Sequence, residues 1–417
     1  MIEAFTCKNF KNVQTDELKL GRISLLVGPN NYGKSNFIRA ISFGANMVSA
    51  VNQNESGFLQ EVERNGGAEL MNKNTQGKSI FLEWTIKLSE NRRVKYTFKF
   101  RVGNNREDNS IEKECLEAAP KPVDKPAFNY FRCTERNPGV AVISTSHEIG
   151  TKNTRVSVDI EQDETILRQF DRLVVKNEQM QNEYVTGNLF QKVETMKEYF
   201  AGFYSFSSAL FDIAAIRDLT ELSVDGKTLK KDGSNFVNVY MYLCKTDATF
   251  EKRFLNRMRE LIPDLKKIVT TQVAGRVAMA LEIKNRDFYL DSVSDGTIKA
   301  LILTLIICMP HEKAPSMLAI DEPESNLHPA WQHTLSKWLI EASSHIQIFI
   351  STHSPELLDD FTEAYKDHIA EVYTCDSSKP GLFRCADRSK IMGEINDGWN
   401  LGDLYRVDDP SIGGWPA

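Results

Sequence analysis

Eight consecutive residues near the N-terminus have the types and spacing of a phosphate-binding loop. They read GPNNYGKS and fit the pattern G-x-x-x-x-G-K-[ST], with an apolar strand, RISLLV, directly before them and a helical pattern after them. Gly28 and Gly33 let the backbone turn its N–H groups toward phosphate oxygens, and the helix N-terminus adds positive potential. Lys34 is expected to reach the β- and γ-phosphates of ATP, and the Ser35 hydroxyl to ligate Mg²⁺. The predicted ATP-binding residues are Gly28, Asn30, Asn31, Gly33, Lys34, Ser35 and Asn36.

A second group of residues could supply the rest of an ATP site. The segment MLAIDEPES is an apolar strand that ends in Asp321 and Glu322. We expect Asp321 to hold Mg²⁺, directly or through water, and Glu322 to orient or deprotonate the water that attacks the γ-phosphate. Because many strands end in acidic residues, this pair alone is weak evidence. Its weight comes from its order and distance relative to other motifs.

Two further motifs flank these carboxylates. SVSDGTIKAL lies upstream, and QIFISTHSP lies downstream and places His353 at the end of the next strand. Taken singly, Ser294 or Asp295 is more simply a helix cap, and His353 a packing or surface residue. All four motifs occur in one order, each on the expected strand or loop, so chance is a poor explanation for the set.

In this order the motifs resemble those of the ABC-type ATPases, and more narrowly the RecF/OLD-like branch of that family. The resemblance is carried by SDGT, where transporters usually have an LSGGQ-like signature, by DEPESNLHP and STHSP, and by DGSNFVNVYMYL. In that family two heads clamp two ATP molecules, and the signature of each head contacts the γ-phosphate bound by the other. The resemblance therefore implies a homodimer in which Glu322 and His353 are catalytic and His353 senses the γ-phosphate. It also implies a trans signature at Ser294, Asp295 and Gly296 and a D-loop at Ser325 and Asn326.

The family's Q-loop glutamine, which links the nucleotide to the variable part of the head, has no clear counterpart. Gln53 and Gln76 are poor candidates, so this residue stays unassigned.

The alternation of strands and helices predicts an α/β fold. We expect an ABC-type P-loop ATPase head, with a mixed or parallel sheet flanked by helices, that carries an inserted β-rich and helical lobe. The clearest predicted elements are strands at 81–88 and 93–102 and, in the last third, a helix, strand, helix and strand at 297–309, 317–320, 329–343 and 346–351. The predicted divisions are the N-terminal part of the head (1–50), the variable lobe (51–225, with a β-rich part at 51–160 and a helical hairpin at 163–203), the C-terminal part of the head (226–390) and a tail (391–417).

The two helices expected within 163–203 are too short for a coiled-coil arm of the SMC type, which needs several times this length. They could dock a partner protein, but packing within the lobe is the simpler interpretation of their apolar faces.

Composition and charge narrow the class of protein further. The 417 residues are 41% hydrophobic and carry a net charge of −6, which excludes a collagen-like or broadly disordered chain and a constitutively basic nucleic-acid coat. Seven cysteines without a C-x-x-C pair indicate reduced thiols and no zinc finger. The N-terminus does not read as a signal peptide, and the longest apolar run, ALILTLIICM, is half of the roughly 20 residues that a membrane span needs. We therefore expect a cytoplasmic protein that does not contact a membrane.

Residues 92–106 are the strongest indication of DNA binding. Arg93, Lys95, Lys99 and Arg101 alternate with apolar residues, so the strand would have one cationic and one apolar face. A solvated sheet face is the simpler interpretation, and a stripe that contacts phosphates is the functional one. If the stripe binds DNA, reversing Lys95, Lys99 and Arg101 to Glu should abolish binding.

The sequence favours an ATP-driven dimeric switch or scaffold, in a bacterial anti-phage defence system, that controls a separate effector protein. Only 64 residues follow His353, fewer than the TOPRIM nuclease that several OLD-like proteins carry at this position, so we expect a nuclease or toxin to act in trans. The tail WNLGDLYRVDDPSIGGWPA is similar to tails of ATPase subunits in such operons. Hydrolysis should be slow, because the geometry that activates water would be complete only in the closed dimer.

Two other functions are weighed against this one. The alternative is a RecF-like repair ATPase that acts directly on DNA. A nucleotide-binding subunit of a transporter is disfavoured by the SDGT signature and the chain length.

Overall fold

The structure is a computed structural model, and it describes most of the chain. The described residues are 1–49, 55–72, 79–90, 92–119, 127–144, 155–178, 180–181, 188–207, 211–221, 228–230, 232–310, 314–324, 329–375, 379 and 381–413. The predicted D-loop residues Ser325 and Asn326 lie outside the described residues, as do Gln53 and Gln76.

The strands fall into three sheets. In chain order they are β1 (Ile2–Phe10), β2 (Val13–Lys19), β3 (Ile23–Val27), β4 (Ile80–Ser89), β5 (Arg92–Arg101), β6 (Ser110–Ala119), β7 (Asn129–Thr134), β8 (Asn137–Ser144), β9 (Arg155–Asp159), β10 (Phe203–Ser207), β11 (Thr220–Glu221), β12 (Leu265–Val273), β13 (Arg276–Ile283), β14 (Arg286–Tyr289), β15 (Met317–Asp321), β16 (Gln347–Thr352), β17 (Ala370–Cys375) and β18 (Phe383–Cys385).

The helices of the described residues pack on these sheets. They are α1 (Lys34–Val48), α2 (Gly57–Arg64), α3 (Ile166–Lys176), α4 (Asn188–Ala201), α5 (Ile213–Arg217), α6 (Phe236–Thr246), α7 (Phe250–Leu261), α8 (Asp295–Cys308), α9 (Pro329–Ala342), α10 (Pro355–Asp360), α11 (Thr362–Lys366), α12 (Arg388–Asn396) and α13 (Leu401–Arg406). Two short 3-10 helices lie at Gly67–Leu70 and Arg106–Asp108.

The central sheet has six strands in the order β10-β15-β16-β3-β17-β18. All neighbours in it are parallel except β17 and β18. The register sets Asp321 beside Ser351, and Thr352 beside Val27. Because the carboxyl ends of adjacent parallel strands meet at one edge of a sheet, the segments that follow β3, β15 and β16 emerge side by side.

Both faces of this sheet are buried, as is usual for parallel sheets. Along β3, Leu26 belongs to one hydrophobic core, whereas Leu25 and Val27 belong to a second core on the opposite face. The first core includes α1, and the second includes the apolar helix α8. The sheet is therefore a central layer between two sets of packed elements.

A second sheet has eight strands in the order β2-β1-β4-β5-β6-β7-β8-β9. It is antiparallel throughout. Helix α1 lies between this sheet and the central one, with Phe43 stacked on Phe100 and the Trp84 indole N–H donating to the Ile41 carbonyl. A smaller third sheet is formed by β13 with β11, β12 and β14 as its neighbours.

The C-terminal residues pack beside the strand that ends near His353. Helices α10 and α13 are in contact, and Arg406 pairs with Asp359 at 2.8 Å and with Glu356 at 3.4 Å. The tail at 391–417, for which the sequence indicated no secondary structure, contains α13 and most of α12.

The predicted α/β architecture is confirmed, and most predicted elements occur within a few residues of their expected bounds. The division of the chain at residues 50 and 225 stays a prediction, but hydrogen bonds cross both boundaries. Strand β1, assigned to the head, pairs with β4 of the lobe, and β10, assigned to the lobe, pairs with β15 of the head.

Candidate ATP-binding site

The loop between β3 and α1 has the backbone conformation expected of a phosphate cradle. Gly28 has a φ of 145° and Gly33 a φ of 100°, values that side chains rarely allow. A Cβ atom on Gly33 would lie 2.9 Å from the side chain of Asn12, so this position also lacks room for one. Gly33 is the N-cap of α1 and has no side chain to bond the first N–H groups of the helix, which leaves this end open to an anion.

Lys34 lies inside the loop rather than in solvent. It is 4% exposed, and its Nζ donates to the carbonyl oxygens of Gly28 at 2.7 Å and Pro29 at 3.0 Å. Burial lowers the pKa of Lys34, and the nearby carboxylates of Glu322 and Asp321 oppose that shift. The charge is therefore held by loop carbonyls and acidic neighbours at a position where phosphate groups could replace them.

Ser35 and Asp321 are 286 residues apart in the chain and adjacent in the structure. The Ser35 hydroxyl donates to Asp321 Oδ1 at 3.0 Å, and the Ser351 hydroxyl donates to the same oxygen. Hydroxyl and carboxylate oxygens are ligands that suit Mg²⁺, which keeps several waters and binds few protein groups. The donor set therefore fits Mg²⁺, and Ser35 and Asp321 are the residues that would hold it.

Glu322 directly follows β15 and has a φ of 50°, in the left-handed region that disfavours most residues. Its N–H donates to both the carbonyl oxygen of Ser351, at 3.0 Å, and the Ser351 hydroxyl, at 3.1 Å. These bonds fix the backbone turn after Asp321. The Glu322 side chain is 35% exposed, so its carboxylate remains accessible to a water molecule.

His353 lies beside two carboxylates. Its Nδ1 is 3.3 Å from Glu324 Oε1 and 3.7 Å from Glu322 Oε1. Glu324 also accepts hydrogen bonds from the His353 N–H at 2.9 Å and the Thr352 hydroxyl at 2.8 Å. Among the described residues, His353 Nδ1 and Glu324 Oε2 are buried atoms without a hydrogen-bond partner. Glu324 thus holds the backbone of His353, and the ring lies beside both Glu324 and Glu322.

The sequence motifs do not predict a role for three residues at this site. Ser351 and Glu324 stand within motifs, and Asn12 stands in none. Asn12 lies in the turn between β1 and β2, where its Oδ1 accepts from Asn36 Nδ2 at 2.9 Å. Ser351 and Glu324 could have been identified as polar residues within the motifs, but only the tertiary structure brings Asn12 to the loop.

A cleft of about 370 Å³ opens beside Ser35 and Asp321. Its lining continues along one face of α1 through Arg39, with Lys11 and Arg64 on neighbouring segments. Acidic side chains, Glu61, Glu69 and Asp232, line it as well, so the cleft has mixed charge.

The predicted signature begins α8. Ser294 is the N-cap, and its hydroxyl accepts from the Thr297 N–H at 3.2 Å, which is the bond expected of a helix cap. Arg217 pairs with Asp295 at 2.7 Å. No hydrogen bond or ion pair among the described residues joins Ser294, Asp295 or Gly296 to the phosphate loop.

The structure thus brings together the phosphate loop, Asp321, Glu322 and His353 at one edge of the central sheet. Among the described residues, no hydrogen bond or ion pair joins the signature to them. The remaining predicted loop residues Asn30, Asn31 and Asn36 lie on or beside the loop, where Asn31 has a φ of 67°. The roles given to all these residues stay predictions.

The basic stripe on β5 is largely neutralised by acidic neighbours. Arg93 makes two bonds to the Glu3 carboxylate, at 2.6 and 3.0 Å, and Lys95 pairs with Glu83 at 3.0 Å. Lys99 pairs with Glu112 and Glu135, Arg101 with Glu112, and Arg106 with Glu63. The stripe is accordingly a sheet face of ion pairs rather than an uncompensated cationic surface.

The fold is that of an ABC-type ATPase head. A solved structure of an SMC head bound to the C-winged helix domain of ScpA has a TM-score of 0.54 to this chain at 11% identity, covering 94% of this chain and 99% of the other. At this identity the match shows the fold alone. The matched structure is the head of the SMC protein. In this chain α3 and α4 span 11 and 14 residues, which is far shorter than a coiled-coil arm.

Two sequence comparisons narrow the class. Residues 215–359 match the family model described as an AAA domain, putative AbiEii toxin, Type IV TA system. Over 94 residues the chain is 36% identical to Endonuclease GajA of Bacillus cereus (strain VD045), an alignment that covers 21% of this chain and 16% of the endonuclease. The resemblance to ABC-type ATPases of the defence type is confirmed by these findings. None of the described helices is both long and apolar enough to cross a membrane.

Proposed function

We propose that this protein binds and hydrolyses ATP as a dimeric switch, and that it is the ATPase subunit of a bacterial anti-phage defence system that controls a separate nuclease or toxin. The observation that carries the ATPase part of the proposal is the hydrogen bond from Ser35 to Asp321, with Glu322 and His353 beside them. This arrangement joins a phosphate loop, a metal-binding carboxylate and a candidate base at one sheet edge.

In the proposed reaction, the N–H groups of the loop and of the start of α1 bind the phosphates of ATP. Lys34 leaves the carbonyls of Gly28 and Pro29 and contacts the β- and γ-phosphates. Mg²⁺, held by Ser35 and Asp321, supplies charge neutralisation of the phosphates. Glu322 orients a water molecule and accepts its proton, while His353, held by Glu324, contacts the γ-phosphate.

The dimer is proposed because, among the described residues, no hydrogen bond or ion pair joins the signature to the phosphate loop of the same chain. In the family that the motifs resemble, the signature of a second head closes over the γ-phosphate. Here the signature opens α8, whose N-terminus can receive a phosphate through its N–H groups. Two copies arranged face to face would place each signature on the other's ATP, and slow hydrolysis follows if only that closed state activates water.

The effector part of the proposal rests on the comparisons and the sequence resemblance. The matching family model is described as a putative toxin of a Type IV TA system, and the matching relative is named an endonuclease. Both descriptions favour a system that damages nucleic acid or the cell and therefore needs control. We assign that damaging activity to a separate protein and the control to this chain.

A RecF-like ATPase that acts directly on DNA is the alternative. Its main sequence feature was the stripe on β5, and the ion pairs of Arg93, Lys95, Lys99 and Arg101 leave it without a supporting observation. For this reason we rank it second.

A pull-down from the native host, with the neighbouring genes intact, tests the proposal. Tagged Glu322→Gln should hold ATP in the closed state and keep whatever that state binds, whereas tagged Lys34→Ala should not close. A nuclease or toxin recovered at equal stoichiometry with the first variant and not with the second supports the effector role. Recovery of DNA without a protein partner contradicts it and favours the repair function.

A further inference from the structure

The signature contains a carboxylate at a position that is proposed to meet a phosphate. Asp295 is the first residue of α8, directly after the cap Ser294, and its side chain is 57% exposed. A negative side chain is favourable at a helix N-terminus when nothing else binds there. If the γ-phosphate of a second copy's ATP approaches the same N-terminus, the carboxylate repels it unless a cation compensates.

Arg217 is placed to provide that compensation. It is the last residue of α5, and one of its terminal nitrogens is 2.7 Å from Asp295 Oδ1 and donates to the Val293 carbonyl at 2.8 Å. The guanidinium therefore bonds the residue before Ser294 and the residue after it. Its position is fixed by Ile216, which is 1% exposed in the second core.

Two further observations concern the basic residues next to the signature. Arg217 Nε is buried and has no hydrogen-bond partner among the described residues, so the guanidinium keeps an unused donor. Lys299, one turn along α8 from Asp295, is 5% exposed; burial lowers its pKa and Asp295 partly opposes that shift. Asp295 is thus paired with Arg217 and also acts electrostatically on Lys299.

We propose that Arg217 is a positioning residue of the signature, which neutralises Asp295 and fixes residues 293–295 so that the start of α8 can receive the γ-phosphate bound by a second copy of this chain. This inference rests on the proposed function. It concerns a residue outside every motif found in the sequence, 76 positions before Val293. Arg217 acts through Asp295 and Val293 and is not itself required to touch ATP.

The test compares ATP-dependent dimerisation of full-length variants, all carrying Glu322→Gln so that the closed state persists. We expect Arg217→Met to need at least about tenfold more ATP to dimerise, the effect of losing one charge-assisted pair. Arg217→Lys, which keeps the charge but bonds one group at a time, should be intermediate. Adding Asp295→Asn to Arg217→Met should restore much of the dimerisation, because the uncompensated carboxylate is gone.

The matched control is Arg276→Met. Arg276 pairs with Glu221 at 3.4 Å on an exposed part of the third sheet, and its loss should leave dimerisation unchanged. Equal dimerisation of Arg217→Met and the Glu322→Gln parent overturns this inference alone. Failure of the parent itself to dimerise with ATP overturns both this inference and the proposed function.

A mixing experiment separates a trans role from loss of folding. In the otherwise wild-type chain, Lys34→Ala should not bind ATP but keeps an intact signature, and Arg217→Met keeps an intact phosphate loop. A mixed dimer then contains one complete composite site, so at an ATP concentration too low for Arg217→Met to dimerise alone, phosphate release should recover on mixing the two variants. Activity that stays absent in the mixture overturns the proposal, since a misfolded or cis-acting variant gains nothing from its partner.

Discussion

Ser351 determines the backbone conformation of Glu322. Its hydroxyl donates to the Asp321 carboxylate, and its hydroxyl and carbonyl oxygens both accept from the Glu322 N–H, so a single serine holds the Asp321 carboxylate and the Glu322 backbone. A non-glycine residue at a φ of 50° carries strain that the surroundings must offset. Here the offset comes from the hydrogen bonds that the Glu322 N–H makes to Ser351 of the adjacent strand β16.

Substitution of Glu322 and of Lys34 should separate ATP binding from hydrolysis. Glu322→Gln should bind ATP normally and release phosphate at least about 100-fold more slowly, because an amide cannot accept the proton. Lys34→Ala should lose ATP binding, since the loop then lacks its cation. Filter binding of radiolabelled ATP and a phosphate-release assay measure the two effects. Rapid turnover by Glu322→Gln would contradict the role proposed for Glu322. The control is Glu341→Gln, because Glu341 is an exposed glutamate paired with Arg257.

Glu114 should make the stability of the protein depend on pH. It is fully buried on β6 and accepts hydrogen bonds from the Tyr96 hydroxyl and from the N–H groups of Ile166 and Leu167 at the start of α3. Burial raises the pKa of Glu114 to about 7. Between pH 4.5 and 7 the folded protein therefore keeps a proton that the unfolded chain has lost, so stability falls as the pH rises through this window.

Glu114→Gln removes this titration. Relative to the variant, the free energy of unfolding of the wild type should decrease by about 3 kcal/mol across the window. Urea unfolding at several pH values measures the difference. Parallel pH profiles for the two proteins contradict the assignment.

At the residue scale, the sequence predicts residues that stand together in a short motif. It does not predict residues that folding brings together from distant segments of the chain. Lys34, Ser35, Asp321 and Glu322 each stand in a run whose spacing carries the signal. Arg217 lies on a five-residue helix, in no motif, and reaches Asp295 only through the packing of α5 on the second core. Local spacing holds no information about such a contact.

Among the elements, the helices α3 and α4 show why an apolar face alone does not identify a docking surface. Ile166, Phe170, Val193, Met196 and Phe200 are all at most 1% exposed and belong to the first core. Phe200 is in contact with both Trp84 and Tyr96 of the antiparallel sheet. The pair therefore packs within the protein, which was the simpler of the two interpretations.

Phe200→Ala should destabilise the protein by about 3–5 kcal/mol, the usual effect of removing a buried phenylalanine from a close-packed core. Thermal or urea unfolding measures the loss. Val175 on α3 is 71% exposed, so Val175→Ala should change the stability little and serves as the control. A stable Phe200→Ala protein that fails only to bind a partner would instead support the docking interpretation.

Element prediction succeeded where one periodicity persisted and failed where elements were short. The alternation of apolar and polar residues predicts β4 and β5. The regular change between strand and helix periodicity predicts α8, β15, α9 and β16. Helix α2, with eight residues, lies in a region that reads as β-like and turn-rich, and the five-residue strand β10 has no flanking turn signal strong enough to identify it. Tertiary packing determines both.

For the whole molecule, the strand pairs that cross the predicted boundaries between head and lobe have a direct consequence. Removal of residues 51–225 would take β4 from its pairing with β1 and β10 from its pairing with β15. The shortened chain should be insoluble, because it exposes unpaired strand edges and half of a hydrophobic core.

Expression of that deletion and its circular dichroism spectrum measure the outcome. If head and lobe unfold together, the intact protein should show a single unfolding transition, and the transitions followed by fluorescence and by circular dichroism should coincide. A soluble, folded deletion variant, or two resolved transitions, would show that the lobe is an independent domain.

Helix α1 begins at the phosphate loop and lies between two sheets, bonded to the second through Trp84 and stacked on it through Phe43. Helix α1 is therefore a rigid element that packs against both sheets. Because a close-packed interior deforms little, a rotation of this helix would move the side chains packed on it. If ATP tilts the loop, we expect α1 to carry that tilt to the antiparallel sheet without a hinge, so that a change at the loop would also move the far face of that sheet.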